Sequence, residues 1–205
     1  MTIRLYFYIS LLLLVVGCAT SVEQPSQDFQ QQYLSHVEQV DKMSRWVLTG
    51  RLSIRNAEEN WSGTVRWSQF KDNFEFHFSG PLGQGAVRIE GSDRGVTLQA
   101  SDGSTLSGAS VSELVHRRLG WHMPFEQLAY WVRGLPDPTS KEHKTLDDSG
   151  RIAELEQSQW QIRYKRYEVL DGYDVELPKK IFLKNVPWQI RLVVDDWQYK
   201  LVTAL

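Results

Sequence analysis

The 205-residue chain has only one cysteine, Cys18, which excludes an internal disulfide. It also lacks the G-x-S-x-G nucleophile motif. Its histidines form no recognisable triad with the scattered Ser and Asp residues. Two of them, His116 and His122, flank a glycine break and are spaced too far apart for one helical face, which argues against a metal pair. The sequence therefore predicts no enzyme and no metal site. The five histidines are His36, His77, His116, His122 and His143.

The chain also lacks a long apolar run and a strong charge of either sign. Its longest apolar segment, residues 5–16, is interrupted only by Ser10 and falls well short of the roughly 20 residues that cross a bilayer as a helix. With Arg4 before it, this segment is typical of the core of an export signal. The formal net charge of −2 argues against nucleic acid, and against a strongly anionic membrane, as the main partner.

A lipoprotein processing signal ends this apolar segment. Val15-Val16-Gly17-Cys18 matches the lipobox of bacterial lipoproteins, in which a small residue permits cleavage before a cysteine that takes a diacylglycerol. The alternative, a buried thiol after an ordinary apolar segment, is weaker because Cys18 follows the apolar core directly. We expect residues 1–17 to be removed, Cys18 to carry N-acyl and S-diacylglycerol lipid, and no other cofactor. The resemblance to lipoprotein sorting signals, with Ala19 rather than Asp after the cysteine, implies an outer-membrane protein that is lipid-anchored and faces the periplasm.

The rest of the chain divides into a short tether and one domain. Residues 18–32 are polar and rich in Ser and Gln, so we expect a flexible tether there and a single domain over residues 33–205. Near this boundary, apolar residues recur at helical spacing and predict a helix over about residues 28–43, with Asp28 as its cap. The apolar residues of this helix are Phe29, Tyr33, Val37 and Val40.

Alternation of apolar and polar residues, typical of half-buried strands, dominates the domain. It covers residues 48–54, 61–67, 74–78, 87–89, 96–100, 152–156, 160–164, 181–183 and 188–194. Two short helices between residues 110 and 134 interrupt the series, and a polar stretch at 137–149 follows them. We therefore predict a mainly β (α+β) fold, in which an antiparallel sheet curls into an unclosed barrel, or half-barrel, with helices on its concave face.

One loop between two of these strands has an unusual composition. In Ser79-Gly80-Pro81-Leu82-Gly83-Gln84-Gly85, a single apolar residue stands among turn formers. Leu82 could fold back over the core or remain exposed, and physical reasoning alone leaves these two readings about even. A phosphate-binding loop is not indicated, because the glycines do not fit G-x-G-x-x-G and a strand follows.

Three features together resemble the outer-membrane lipoprotein receptor family LolB. They are the lipobox at Cys18, the Gly80-Pro81-Leu82-Gly83 loop, and the segment from Leu119-Gly120-Trp121-His122-Met123-Pro124 to Trp131-Val132-Arg133-Gly134-Leu135-Pro136. The last segment is the most specific, since generic folding does not demand a helix between Met-Pro and Trp-x-x-Gly-Leu-Pro. The order and spacing of elements agree over nearly the whole chain after Cys18, apart from the tether.

The resemblance implies both a function and a set of partners. A member of this family accepts triacylated lipoproteins from a periplasmic LolA-like carrier into an apolar cavity and places them in the outer membrane. Its partners would be the carrier, acylated client lipoproteins and outer-membrane lipid, with no nucleic acid, and we expect a monomer. The resemblance also assigns Pro81, Leu82 and Gly83 to a membrane-insertion loop.

The cavity itself follows from the resemblance, although the 24 aromatic residues, eight each of Trp, Tyr and Phe, would suit a large apolar interior. Each proposed wall residue could equally belong to a solid core, because half-buried strands look alike in both cases. The proposed walls are Leu52, Ile54, Trp61, Val65, Trp67, Phe74, Phe76, Val87, Ile89, Leu128, Trp131 and Leu135.

Two other functions stay open at this point. An envelope scaffold lipoprotein would need a solid interior and an exposed protein-binding surface. An envelope hydrolase would need a catalytic constellation that the sequence does not display.

Overall fold

The computed structural model describes residues 27–43, 45–173 and 175–200. Its helices are α1 (Gln27–Asp41), α2 (Val111–Leu119) and α3 (Phe125–Trp131). Its strands are β1 (Arg45–Arg55), β2 (Asn60–Phe70), β3 (Asn73–Ser79), β4 (Val87–Ser92), β5 (Gly95–Ala100), β6 (Thr105–Gly108), β7 (Glu142–Leu146), β8 (Ile152–Gln157), β9 (Trp160–Val169), β10 (Glu176–Asn185) and β11 (Trp188–Lys200). None of the helices in these residues has the length and apolarity needed to cross a membrane.

All eleven strands form one antiparallel sheet in the order β6-β5-β4-β3-β2-β1-β11-β10-β9-β8-β7. The chain runs outward from β1 in one hairpin series, and then returns through β7 to β11, which pairs with β1. Because β6 and β7 are the two edges of the sheet, the barrel does not close. The predicted mainly β, unclosed antiparallel architecture is confirmed.

Strict alternation explains how the sheet curls around one core. In β1 the even-numbered residues from Trp46 to Ile54 are buried, while the odd-numbered residues from Arg45 to Arg55 are exposed or partly exposed. The same inward–outward alternation recurs in β3, β4 and β5. Helices α2 and α3 bury apolar residues against this concave face, so the core lies between the sheet and its helices.

Two details of the predicted organisation need correction. Helix α1 begins at Gln27, so residues 27–32 are helical rather than part of the expected tether of residues 18–32. The polar stretch at 137–149 contains the edge strand β7. The alternation pattern did not predict it, because both faces of this strand carry polar residues and none of its residues is fully buried. The predicted signal peptide, residues 1–17, and Cys18 lie outside the described residues.

The strands place the loops at two opposite ends of the half-barrel. We call one the Leu82 end; it holds the connections at residues 56–59, 80–86, 101–104, 158–159 and 186–187. We call the other the α1 end; it holds the connections at residues 71–72, 93–94 and 147–151, and the hairpin turn between β9 and β10.

Helix α1 lies across the α1 end. Its residues Tyr33, His36 and Val40 are buried against the sheet, and the Nζ of Lys144 on β7 lies 4.9 Å from the centre of the Tyr33 ring. The helix passes so close to Gly150 that a Cβ there would be 2.5 Å from the Cβ of Gln32. A glycine in the left-handed conformation (φ 71°) therefore allows α1 to dock.

Candidate functional site

Aromatic side chains from the sheet and the helices meet on the concave face. The ring of Phe125, the first residue of α3, lies 4.8 Å from Trp67 and 4.9 Å from Phe76, measured between ring centres. Trp67 also lies 5.4 Å from Trp46, which in turn lies 5.6 Å from Trp197. These rings form a continuous aromatic layer within the apolar interior, and α3 contributes Phe125 to it.

The structure brings the twelve proposed cavity residues together on this interior surface. Ten of them are buried, and Trp61 and Phe74 are half-buried beside the same core. In the sheet they occupy facing register positions, such as Trp67 opposite Phe76 and Phe76 opposite Ile89. Their convergence fits a cavity wall and a packed core equally, so their assignment to an acyl cavity stays a proposal.

A carboxylate joins the two helices that cover the interior. Glu126 on α3 accepts hydrogen bonds at the start of α2 from the hydroxyl of Ser110 (3.0 Å), the backbone N–H of Val111 (3.0 Å) and the hydroxyl of Ser112. Ser112 in turn accepts a bond from the backbone N–H of Phe125 at 2.9 Å. These reciprocal bonds satisfy N–H groups that a helix start leaves free, and make α2 and α3 one covering unit.

The electrostatics of this junction favour the charged carboxylate. Burial raises the pKa of Glu126, but hydrogen bonds from Ser112, from its own backbone N–H and from Ser110 outweigh burial, so its pKa lies below the ordinary carboxyl value. No local sequence pattern predicts this contact, because the groups that bind Glu126 lie 14 to 16 residues before it in the chain.

A cleft opens onto the aromatic layer at the α1 end. Its volume is about 460 Å³. The apolar part of its wall includes Trp46, Trp67, Phe74 and Phe125, and its rim carries charged and polar side chains. The rim residues are Asp41, Gln69, Lys71, Asp72, Glu126, Tyr130 and Arg133. Two proposed cavity residues, Trp67 and Phe74, thus face an opening large enough to admit an apolar ligand.

Trp121, in the connection between α2 and α3, is buried without a hydrogen-bond partner for its indole N–H in the described part of the chain. Its ring is 5.6 Å from both Trp61 and Phe78 in edge-to-face geometry, towards the Leu82 end of the interior. By contrast, the N–H of Trp131 donates to Gln157 at 2.8 Å. Trp121 and Phe125 belong to the same buried core and were not among the twelve residues expected from sequence.

The loop at the Leu82 end projects its leucine away from the core. Leu82 is fully exposed and adopts the left-handed conformation (φ 57°, ψ 24°), which is unfavourable for a leucine. Bonds from the Gly80 N–H to the Gln84 carbonyl and from the Gly83 N–H to the Gly80 carbonyl, both 3.0 Å long, close the loop. Of the two readings of Leu82, the structure selects the exposed one.

The turn after α2 also brings two histidines together. Gly120 adopts the left-handed conformation (φ 70°) and reverses the chain, so the rings of His116 and His122 lie 4.0 Å apart. The two histidines thus approach each other across the Gly120 turn, and His122 does not share a helical face with His116. Within the described residues, no group of three potential metal ligands forms.

Comparison with known proteins places this geometry in a class. A putative outer membrane lipoprotein-sorting protein domain from Vibrio parahaemolyticus matches with a TM-score of 0.53 and 10% identity, covering 86% of this chain and 94% of that one. A LolA superfamily protein from Nitrosomonas europaea matches with a TM-score of 0.50 and 11% identity, covering 82% of this chain and 93% of that one. These two structures share the fold of this chain, an unclosed sheet with helices over its concave face.

The family follows from the sequence relatives. The family model described as "Outer membrane lipoprotein LolB" matches residues 44–197. An outer-membrane lipoprotein LolB from Pseudomonas paraeruginosa strain PA7 is 37% identical over 201 residues, covering 97% of each chain. The chain belongs to the LolB family, as the resemblance predicted. This membership decides against the envelope hydrolase, since the family is not one of enzymes.

Proposed function

We propose that this protein is an outer-membrane receptor that takes triacylated lipoproteins from a LolA-like periplasmic carrier and places them in the outer membrane. The observation that carries the proposal is the concave aromatic layer, which opens at the 460 Å³ cleft and is covered by a separate two-helix unit. Membership of the LolB family supports the same function.

The interior would receive acyl chains along the twelve residues named above. Burying roughly 14 methylenes at about 0.8 kcal/mol each is worth on the order of 10 kcal/mol, so a client cannot cross water with its lipid exposed. The ring of Phe125 lies where such a chain would meet Trp67 and Phe76. Entry therefore requires Phe125 to move, and the Glu126 junction makes α2 and α3 move with it.

The membrane-facing step would use the loop of Pro81, Leu82 and Gly83. A leucine transferred into an apolar phase gains roughly 1.5–3 kcal/mol, enough to bias docking and too little to anchor the protein. Full exposure in an unfavourable backbone conformation supports a functional role, because strain of this kind persists where function uses it.

The proposal includes a permanent lipid anchor. Residues 1–17 would be removed, and N-acyl and S-diacylglycerol lipid on Cys18 would hold the receptor as a monomer on the periplasmic face of the outer membrane. Residues 33–205 would form the single binding domain, which in the structure also includes the start of α1 at Gln27. The receptor would require no cofactor beyond this lipid, and no nucleic acid.

The test is transfer of a radiolabelled lipoprotein from purified LolA-like carrier, first to the receptor and then to vesicles. The chain from residue 18 with Cys18→Ala should strip the client from the carrier, since the anchor only localises the domain. Leu82→Glu should leave stripping intact and slow release into vesicles. The matched control is Leu34→Glu, on the exposed face of α1. Release at the parental rate by Leu82→Glu would refute the role of the loop.

An envelope scaffold is the second candidate, because the aromatic packing around Phe125 resembles a solid core. It requires that no acyl chain enters. Failure of the Cys18→Ala chain to take up any acylated client would favour the scaffold over the receptor.

A further inference from the structure

The Leu82 end carries a second exposed apolar residue. Val186, in the turn between β10 and β11, is 77% exposed, second only to Leu82 among the large apolar side chains of the described residues. The connections of Leu82 and Val186 lie at the same end of the half-barrel. Strand β10, which leads into the Val186 turn, is four strand spacings from β3, which leads into the Leu82 loop. At about 4.8 Å per spacing, the two strands lie about 19 Å apart along the curved sheet.

A basic groove lies beside Val186 on the outward face of the sheet. Its volume is about 420 Å³, and its lining includes four Lys or Arg residues and no Asp or Glu. These residues are Arg55, Arg163, Lys184 and Arg191. None of the four has a carboxylate within 4.0 Å among the described residues.

Strand register holds these cations in two adjacent rows. Lys184 stands opposite Gln189, which stands opposite Arg55, in the row nearest the Val186 turn. Arg163 stands opposite Phe182, which stands opposite Arg191, in the next outward row, about 7 Å further from the turn. A chain of net charge −2 thus concentrates unpaired positive charge next to an exposed apolar tip.

We propose that the turn of Val186 and Pro187, with the basic groove beside it, is a second membrane contact that binds a lipid surface through phosphate-bearing head groups. An apolar tip enters a bilayer while neighbouring cations bind head groups, which is the usual arrangement of a peripheral membrane contact. The shared end with Leu82 favours a membrane over an acidic protein as the occupant. This inference rests on the proposed function only in taking the Leu82 end to face the membrane.

The test measures partition of the Cys18→Ala chain, from residue 18 onward, onto phosphatidylcholine vesicles with and without phosphatidylglycerol. Binding should be stronger with phosphatidylglycerol and should fall with added salt. Lys184→Gln and Arg191→Gln should each weaken it about fivefold. Val186→Glu should weaken it by more than about tenfold.

Matched controls lie at the opposite end. Val169→Glu changes an exposed valine at the far end of β9, and Arg94→Gln removes an exposed cation from the β4–β5 turn; both should bind like the parent. Urea unfolding of every variant separates loss of binding from loss of fold.

Three results would overturn the proposal: parental binding by the Val186 and groove variants, equal losses in the controls, or loss of carrier binding with vesicle binding unchanged. The last would make the groove a site for an acidic protein. Client transfer is measured separately. If transfer fails while vesicle binding follows the predicted pattern, the proposed function falls and the second contact stands.

Discussion

The carboxylate of Glu126 on α3 lies at the start of α2, with its Oε1 atom 3.0 Å from the backbone nitrogen of Val111. It performs the role of a capping side chain, although it belongs to another helix. One acidic residue therefore decides whether the two covering helices behave as a unit.

Glu126→Ala should lower the free energy of unfolding by about 1 kcal/mol, the usual cost of a lost helix cap. The effect should fade in acid. Because the folded pKa of Glu126 is lowered, its stabilisation is complete above the ordinary carboxyl pKa of 4.5 and is lost as the pH falls below it. Urea unfolding at a series of pH values measures both effects. Glu113→Ala is the control, since its ion pair with Arg117 is exposed; equal effects of the two changes would contradict the capping role.

His36 should make stability depend on pH in a higher range. Burial lowers the pKa of His36, and the positive charge of Arg151 lowers it further. The negative charges of Glu176 and Asp147 raise the pKa but only partly offset the burial. The unfolded chain therefore takes up the proton first, and stability should fall as the pH drops below about 6.5. His36→Phe should flatten this part of the profile, whereas replacement of the exposed His77 by Phe should not. An unchanged slope in His36→Phe would show that another group causes the dependence.

The two buried tryptophans near the helices should respond differently to loss of their N–H. Trp131→Phe breaks a buried bond to Gln157 and should cost about 1–3 kcal/mol. Trp121→Phe removes an N–H that has no partner in the described residues, so its cost should be smaller. Urea unfolding of both variants gives the order directly. A larger loss for Trp121→Phe would mean that its N–H has an acceptor.

Gly150→Ala should dislodge α1. The added Cβ would be 2.9 Å from the Phe29 carbonyl oxygen as well as close to Gln32, so the helix backbone must shift. Gly103→Ala is the control for backbone strain, because Gly103 has a similar φ of 82° and open space around it. Faster hydrogen exchange in α1 should accompany Gly150→Ala alone. Equal exchange in the two variants would refute this account of how α1 docks.

Leu82→Asn should separate stability from function. Asn tolerates the left-handed conformation better than Leu, and the exposed side chain buries nothing, so stability should stay equal or rise by up to about 1 kcal/mol. Client release into vesicles should slow, because the apolar tip is gone. A variant that is both as stable and as active as the parent would argue against the proposed membrane contact.

Much of this fold is predictable because alternation acts locally. The inward residues of β1, β3 and β4 stand two apart, so the sequence reveals the strands and their buried faces. The short edge strand β7 carries Glu142-His143-Lys144-Thr145-Leu146, which has no inward apolar series, and only its pairing with β8 makes it a strand. Pairing of that kind is a long-range property.

The sequence predicts which residues face the interior, but not the contacts between segments that are distant in the chain. Twelve inward-facing residues follow from strand and helix patterns, and Leu82 stands out by lacking a face to join. The capping by Glu126, the insertion of Phe125 between Trp67 and Phe76, and the approach of His116 to His122 depend on how a reversed chain folds back. No local pattern encodes such contacts.

The position of α1 limits how the proposed receptor can stand on its membrane. The chain enters the domain at the α1 end, opposite Leu82, and residues 19–26 can span at most about 29 Å at 3.6 Å per residue. Strand β1 alone is about 36 Å long at about 3.3 Å per residue, or about 28 Å in height at the usual barrel tilt. If Cys18 is acylated, Leu82 reaches the membrane leaflet that holds the lipid only when residues 19–26 are almost fully extended or the domain lies on its side. If residues 19–26 are less extended, the α1 end, where the cleft opens, must lie nearer the bilayer than Leu82 can reach, so the length of this segment would limit which orientations the domain can adopt.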